Sequence, residues 1–432
     1  MKRFLLPVTA LVIVVWAAQQ PEEILHFSAA FSPMRRAFIV LTGALTLSWM
    51  SFCMVLALRP VWLERALGGL DKLYAAHKRT GIGAMALLAV HWLLELSPPA
   101  LAFWGWIGPS TRPQTPGRLL YLGHEFGEWA GIALLSLGVI SLLRSISYGW
   151  FRKLHKAFPI VFLIGAAHTV IMLFGTELLA SPFGALALAV CAAGGAAAVI
   201  SLVGLIGRRR RHLGHVAETA LTDAGVFDLS IDPGTDWPGH MAGQFALLTF
   251  DSAEGAHPFT IASAWYPGAS LRFAIKALGD YTRTLPGEVR PGDAVIIEGP
   301  YGRFDFGEIS EDQVWIAGGV GIVPFLARLE VLAAASGVRG KVHLFYSARN
   351  FQEASFPCGL EALCCDAGVK LHLHINEHDG RMGVGNIGEL ARQAQSVWFC
   401  GPKRWGRKLR AALRRDYGLE PEQFHSELFQ FR

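Results

Sequence analysis

Charge is what this chain has least of. Charged residues fill 17% of its 432 positions against 52% hydrophobic, and the mean hydropathy is +0.36. That balance excludes a disordered, collagenous or purely cytosolic protein and lies on the membrane side of soluble composition. Cysteine is scarce and unpatterned. The six residues Cys53, Cys191, Cys358, Cys364, Cys365 and Cys400 form no CxxC pair and keep no regular spacing, which argues against both a zinc site and a disulfide framework. Reduced thiols facing a cytosol fit best. There is no internal repeat, low-complexity tract or DxDxDG calcium loop. The net charge of +5 does not signal nucleic acid, because Lys and Arg gather in short clusters beside apolar stretches. The expected partner is the lipid bilayer, not nucleic acid, and no obligate protein partner is indicated.

What is present divides at Arg208-Arg209-Arg210-Arg211, between an apolar first half and a second half of ordinary globular composition. Segments near 4–18, 37–58, 78–96, 125–143, 157–174 and 183–206 are apolar enough to suggest about six transmembrane helices. The first is short, and with Lys2 and Arg3 ahead and Ala17-Ala18 behind it also fits a cleaved signal peptide. Cationic clusters follow the second, fourth and sixth segments, so the positive-inside rule puts those loops, and everything after about 213, in the cytoplasm. From 213 to 307 short β-rich runs separated by Gly and Pro suggest a small antiparallel barrel. From 308 to 432 a strand, glycine loop, helix and strand succession suggests an α/β domain. The expected domains are thus 1–207, 213–307 and 308–432.

Histidine is costly inside a bilayer, so four of them there form a functional-site hypothesis. His77 and His91 are fourteen positions apart on one expected helix, and His155 and His168 thirteen apart on another. At 1.5 Å per residue these separations are roughly 21 and 20 Å, giving two levels, His77 with His155 and His91 with His168. Imidazole is an axial ligand of haem iron, and bundle cores build cofactor sites from facing helices; two stacked bis-histidine b-type haems are the economical reading. The alternative is four buried or interfacial histidines bonded to carbonyls. Thirteen residues miss the starting face of an ideal helix by about 140°, so the second helix cannot be straight. Pro159 supplies a kink.

The second half carries an ordered set of short motifs. They are His257-Pro258-Phe259-Thr260-Ile261-Ala262-Ser263, Ile275-Lys276-Ala277-Leu278-Gly279-Asp280-Tyr281-Thr282, Gly318-Gly319-Val320-Gly321-Ile322-Val323-Pro324, Tyr346-Ser347-Ala348-Arg349, Cys400-Gly401-Pro402 and the tail from Phe424 to Arg432. Together with Asp71-Lys72-Leu73-Tyr74 before His77-Lys78, and His155-Lys156, they resemble the NADPH oxidase and ferric reductase family of transmembrane flavocytochromes b. The chain is identified as a bacterial member, with the resemblance running from about 35 to 432.

The resemblance implies a ferredoxin-reductase-like module behind the membrane bundle, with FAD on the barrel and a nicotinamide nucleotide on the α/β domain. It implies that His257, Pro258, Phe259, Thr260 and Ser263 wrap the isoalloxazine and ribityl. It gives Ile275, Lys276, Gly279, Asp280, Tyr281 and Thr282 to the second flavin segment, where Lys276 neutralises the pyrophosphate. Gly319, Gly321 and Pro324 belong to the phosphate loop, although Val323 stands where the family usually has Thr. Ser347 and Arg349 grip the adenosine ribose and its 2′-phosphate, favouring NADPH over NADH. Cys400, Gly401 and Pro402 lie beside the nicotinamide, and Phe429, with Phe431 as rival, stacks over the flavin; Cys400 and Phe429 are the catalytic candidates.

The implied activity is electron transfer from cytoplasmic NADPH through FAD and two haems, His77/His155 then His91/His168, to an acceptor outside a bacterial inner membrane. With both irons bis-histidine, the acceptor takes its electron at the haem edge. Oxygen giving superoxide is the first expectation, a ferric chelate the second, and an extracytoplasmic protein partner the third. A flavin reductase tethered by a purely structural bundle is the remaining reading. Arg35 or Arg36 is a candidate for neutralising outer-haem propionates.

Overall fold

A computed structural model describes residues 2–27, 30–97, 117–143, 145–146, 148–174, 176–252, 254–308, 310–335, 337–356 and 358–427. The chain divides into two compact units, Met1–Gly207 and Arg208–Arg432.

The first unit is helical: α1 (Lys2–Ala17), α2 (Phe31–Ala57), α3 (Leu70–Leu96), α4 (Arg118–Leu142), α5 (Tyr148–His155), α6 (Phe158–Phe174) and α7 (Pro182–Leu202). α2 and α4 each pack against both α3 and α6, so α3 and α6 lie diagonally across a four-helix core, with α7 outside against α2 and α6. Leu47, Met50, Ala84, Leu134, Phe162 and Ala166 are buried in that core. Close approach depends on small residues, as membrane helices require. A Cβ on Gly83 would strike the Trp49 ring, and one on Gly138 the Met85 side chain. The outward surface is apolar, with Leu93, Trp129, Val139 and Phe174 each more than half exposed, a surface suited to lipid and not to water.

Among the described residues four helices are long and apolar enough to cross a membrane: Phe31–Ala57, Arg118–Leu142, Gly149–Phe174 and Pro182–Leu202. This corrects the expected six. The first segment is helical, but its apolar part, Phe4–Ala17, reaches only about 21 Å against a hydrocarbon core of about 30 Å. α3 has 27 residues but carries Asp71, Lys72, Lys78, Arg79 and Glu95, so length is met and apolarity is not. The break foreseen near Pro159 is present: α5 ends at His155, a turn occupies Lys156 and Ala157, and α6 begins at Phe158. Pro159 falls in the first turn of α6, where its missing N–H has no intrahelical partner to lose.

The second unit opens with six antiparallel strands, β1 (Arg211–Leu221), β2 (Val226–Asp232), β3 (Phe245–Thr249), β4 (His257–Thr260), β5 (Leu271–Lys276) and β6 (Ala294–Tyr301), in the order β4-β3-β6-β1-β2-β5. An antiparallel bridge between Ile261 and Phe273 joins the two outer strands and closes the sheet on itself. Leu229, Ile231, Ala246, Leu248, Ile261, Leu271, Phe273 and Ile297 fill the interior and are wholly buried. The short α8 (Asp280–Glu288) follows β5.

Five parallel strands complete the unit: β7 (Gln313–Gly318), β8 (Val342–Ala348), β9 (Val369–Ile375), β10 (Ser396–Cys400) and β11 (Phe424–Ser426), in the order β11-β10-β7-β8-β9. Alternation along β7 sends Trp315 and Ala317 to one face, against Phe325 and Leu329 of α9 (Val323–Ala334). Val314 and Ile316 go to the other, with Leu409 and Leu413 of α11 (Lys403–Tyr417). Between them in sequence, α10 (Phe351–Ala354) follows β8. Strand order reverses between β7 and β10, and open sheets of this kind bind ligands at the carboxyl ends of the strands flanking such a switch.

Candidate functional site

In the membrane unit three of the four histidines share one arrangement. His77 Nδ1 lies 3.1 Å from the Cys53 carbonyl, His91 Nδ1 3.0 Å from that of Ile39, and His168 Nδ1 2.7 Å from that of Gly123. His155 Nδ1 lies 3.4 Å from Ser141 Oγ. A carbonyl can only accept, so it fixes the hydrogen on Nδ1 and leaves Nε2 as the lone-pair nitrogen. Metal-bound imidazoles are usually held this way, the second nitrogen donating to a carbonyl or carboxylate. The carbonyl-bonded alternative and the ligand reading are therefore not exclusive.

The structure brings His77 and His155 together with ring centroids 5.9 Å apart and planes at 63°. Two imidazoles on one iron, each with a metal–nitrogen distance of about 2 Å and about 1 Å more to the ring centre, would have centroids about 6 Å apart. Rotation about the shared axis leaves the interplanar angle free. His91 and His168 lie on the same diagonal pair of helices, α3 and α6. Each faces a glycine: a Cβ on Gly43 would be 3.0 Å from the His91 ring and one on Gly127 2.6 Å from the His168 ring. The His77/His155 separation fits one bis-histidine haem. No group of three or more His, Cys, Asp or Glu that could hold a bare metal ion occurs among the described residues.

Arg35 lies at the end of α3. Its Nε donates to the Leu94 carbonyl at 2.8 Å and to Ser97 Oγ at 3.1 Å, and its Nη2 to the Glu95 carbonyl at 3.1 Å. It closes the carbonyl end of α3, three residues past His91, as cationic side chains do at helix C-termini.

In the second unit the two flavin segments meet. His257, at the start of β4, stacks on Tyr281 of α8 with centroids 4.0 Å apart and planes at 21°. Tyr281 Oη is buried with no protein partner among the described residues. Burial and the nearby carboxylates of Glu254, Glu288 and Asp251 push its hydroxyl well above the usual phenol range. It is a protonated, orphaned donor that the polar edge of a bound flavin would satisfy. Thr282 shapes the turn before α8, its Oγ1 accepting from the Leu278 and Gly279 N–H groups at 3.0 Å each. A Cβ on Gly279 would meet open space. Pro258, Phe259 and Thr260 lie along β4, paired with β3, while Asp280 is exposed at the start of α8. Ile275 is in the barrel core, and Ser263 is buried with its hydroxyl accepting from the Arg272 N–H at 3.1 Å.

The glycine loop and the Cys400 motif also meet, at the switch between β7 and β10. A Cβ on Gly321 would collide with the Cys400 carbonyl, and one on Gly401 would lie 3.3 Å from Gly318 backbone. Pro324 is buried in the first turn of α9, and Pro402 is the N-cap of α11. Burial, then the charge of Glu427, holds the Cys400 thiol well above its ordinary range, so it is a neutral thiol and not a thiolate. Ser347 donates to Asn376 Oδ1 at 3.2 Å. Phe429 lies outside the described residues.

Sequence reasoning missed Glu353. This carboxylate is ion-paired with Lys276, accepts the Arg349 N–H at 2.6 Å and would lie 3.1 Å from a Cβ on Gly319. One side chain thus touches three of the separate motifs. Burial raises its carboxyl, but the hydrogen bond from Lys276, the Arg349 N–H and the charges of both outweigh that and leave it below its ordinary value. The available signal was the Asn350-x-x-Glu353 cap, in which Asn350 Oδ1 accepts the Glu353 N–H at 2.9 Å.

Residues 42–166 match the family model described as ferric reductase like transmembrane component. The ferredoxin–NAD(+) reductase component of the alkene monooxygenase system of Xanthobacter autotrophicus is 32% identical over 210 residues, covering 45% of this chain and 62% of that protein. Ferric reduction oxidase 8, mitochondrial, of Arabidopsis thaliana is 31% identical over 157 residues, covering 32% of this chain and 22% of that one. The chain spans less than two thirds of the length of either relative. The FAD/NAD binding domain of nitric oxide dioxygenase from Vibrio cholerae aligns with a TM-score of 0.45 at 21% identity, covering 50% of this chain and 97% of that domain.

Proposed function

Because the chain fits the ferric reductase-like flavocytochrome family, a ferric-reductase-like membrane component joined to a ferredoxin-reductase-like module, we propose that it carries electrons across a membrane from NAD(P)H to an acceptor on the far side. In this reading FAD sits at His257, Lys276 and Tyr281, the nicotinamide nucleotide at the β7/β10 switch, and two haems at His77/His155 and His91/His168. Bound there, FAD would split a hydride's electron pair into single electrons and the haems would relay them one at a time.

The chain's own contribution is positional. Gly321 and Gly401 keep the floor of the nucleotide crevice free of side chains. Neutral Cys400 presents a compact, uncharged wall at its end. Tyr281 and His257 supply a stacked platform with one free donor. The carbonyls of Cys53, Ile39 and Gly123 hold imidazoles with Nε2 free. The observation that carries the proposal is this last one: the Nδ1 atoms of His77, His91 and His168 are each held by a backbone carbonyl, which leaves Nε2 free, and the His155 ring lies beside that of His77.

The cationic clusters flanking the apolar segments support a cytoplasmic reductase unit in a bacterial inner membrane, and Arg349 after β8 supports NADPH as donor. Two histidines at each haem would leave no open ligand position, which favours an acceptor reduced at the haem edge, with oxygen giving superoxide ahead of a ferric chelate. The test is a visible spectrum of the purified chain reduced anaerobically with NADPH, then exposed separately to air and to ferric citrate. Reduced haem bands bleached by air with superoxide release are expected. Bands indifferent to air and bleached only by ferric iron would replace the oxidase with the reductase, and flavin absorbance with no Soret band would remove the haem path altogether.

A further inference from the structure

Three of the four imidazoles are held by main-chain carbonyls, which no side-chain replacement on the carbonyl's own residue removes. The fourth is not. His155 Nδ1 faces the hydroxyl of Ser141, in the last turn of α4, at 3.4 Å. The other aromatic neighbours of His155 offer no acceptor: Phe151 lies 5.0 Å and Phe158 4.8 Å away by ring centroid, and the Nδ1 of His77 is already engaged with the Cys53 carbonyl. His155 is also the last residue of α5, immediately before the turn at Lys156 and Ala157, so its backbone is less constrained than that of the three mid-helix histidines.

Resting on the reading of His77 and His155 as axial ligands, we infer that Ser141 is a positioning residue for His155, whose hydroxyl sets the reduction potential at the His77/His155 level separately from the His91/His168 level. If Nε2 faces the iron, Nδ1 carries the hydrogen and Ser141 Oγ accepts it. Accepting that hydrogen makes the imidazole a stronger donor and favours ferric over ferrous iron. Removing the acceptor weakens donation and raises the potential of that level alone. Loss of such a partner typically costs 10 to 100-fold in metal affinity or activity, and a tenfold loss falling on the ferric form alone corresponds to about 59 mV for a one-electron couple.

The experiment is an optical redox titration of the full chain in lipid nanodiscs, wild type against Ser141→Ala, Ser141→Thr and Ser141→Cys, with haem content measured on each. Ser141→Ala is expected to raise one of two couples by about 59 mV and leave the other in place. Ser141→Thr, which keeps the hydroxyl, returns the wild-type value. Should the alanine variant assemble poorly, Ser141→Cys, a weaker acceptor of similar size, carries the same upward sign. Loss of one haem with the other retained also supports the positioning role. Two haems with both couples unmoved in the alanine and cysteine variants overturn it, whereas a wild type without haem overturns the axial-ligand reading on which it rests.

Discussion

The two units present their cofactor sites in opposite ways. In the membrane unit the candidate ligands are a few individual side chains, and main-chain carbonyls orient them, as those of Cys53, Ile39 and Gly123 do. In the reductase unit the main chain itself forms the candidate site: at Gly321 the Cys400 carbonyl, and at Gly401 the Gly318 backbone, occupies the space a Cβ would need. The contrast follows from solvent. A bilayer demands that backbone polar groups be satisfied within helices, leaving side chains as the available ligands, while a strand-to-helix loop in water can expose its N–H groups to a phosphate.

If that contrast is right, a glycine replaced in each unit should disable only its own half of the pathway. The largest effect is expected from Gly321→Val, whose Cβ would meet the immobile Cys400 carbonyl. Overpacking of about 3 kcal/mol corresponds to roughly a hundredfold loss, read by stopped flow as slower flavin reduction by NADPH with haem content unchanged. Next comes Gly127→Val, which drives a side chain into the His168 ring. It should lose one haem of two while flavin reduction keeps its wild-type rate. Each glycine variant impairing both halves would show that the units are not separable.

Smaller effects sharpen the reductase side. Glu353→Gln leaves Lys276 without its ion-pair partner and should lower the stability of the reductase unit by about 1 kcal/mol, measured by thermal unfolding against wild type. The smallest effect is the pH dependence of that difference. The Glu353 carboxyl is depressed in the folded state, so its contribution is fully present above the ordinary carboxylate value of the unfolded chain and is lost as pH falls through the lower folded value. The wild-type and Glu353→Gln unfolding curves should therefore converge in acid and stay apart at neutral pH.

Much of this was legible in the sequence, for physical reasons that differ by unit. Histidine in an apolar helix is conspicuous because it is costly, and the mismatch between thirteen residues and 3.6 per turn required the break that the structure has at Lys156 and Ala157. The glycine motifs were visible because only glycine permits such close approach. Helix number was not legible, since four charges of α3 lie at or before Arg79 and the fifth is Glu95, which leaves 80–94 between them without a charged residue, a stretch that reads as apolar on its own. Ser141 and Glu353 were not legible either. A serine near a helix end and a glutamate after a strand are common, and only the fold puts one against His155 and the other between Lys276 and Arg349.

The central claim is that the four histidines form two ligand pairs, and haem stoichiometry tests it most directly. Two haems per chain are expected in the wild type, one in each of His77→Ala, His91→Ala, His155→Ala and His168→Ala, one in the double variant His77→Ala/His155→Ala, and none in His77→Ala/His91→Ala. Two haems retained in any of the four single variants, or none in the wild type with FAD bound, would contradict it.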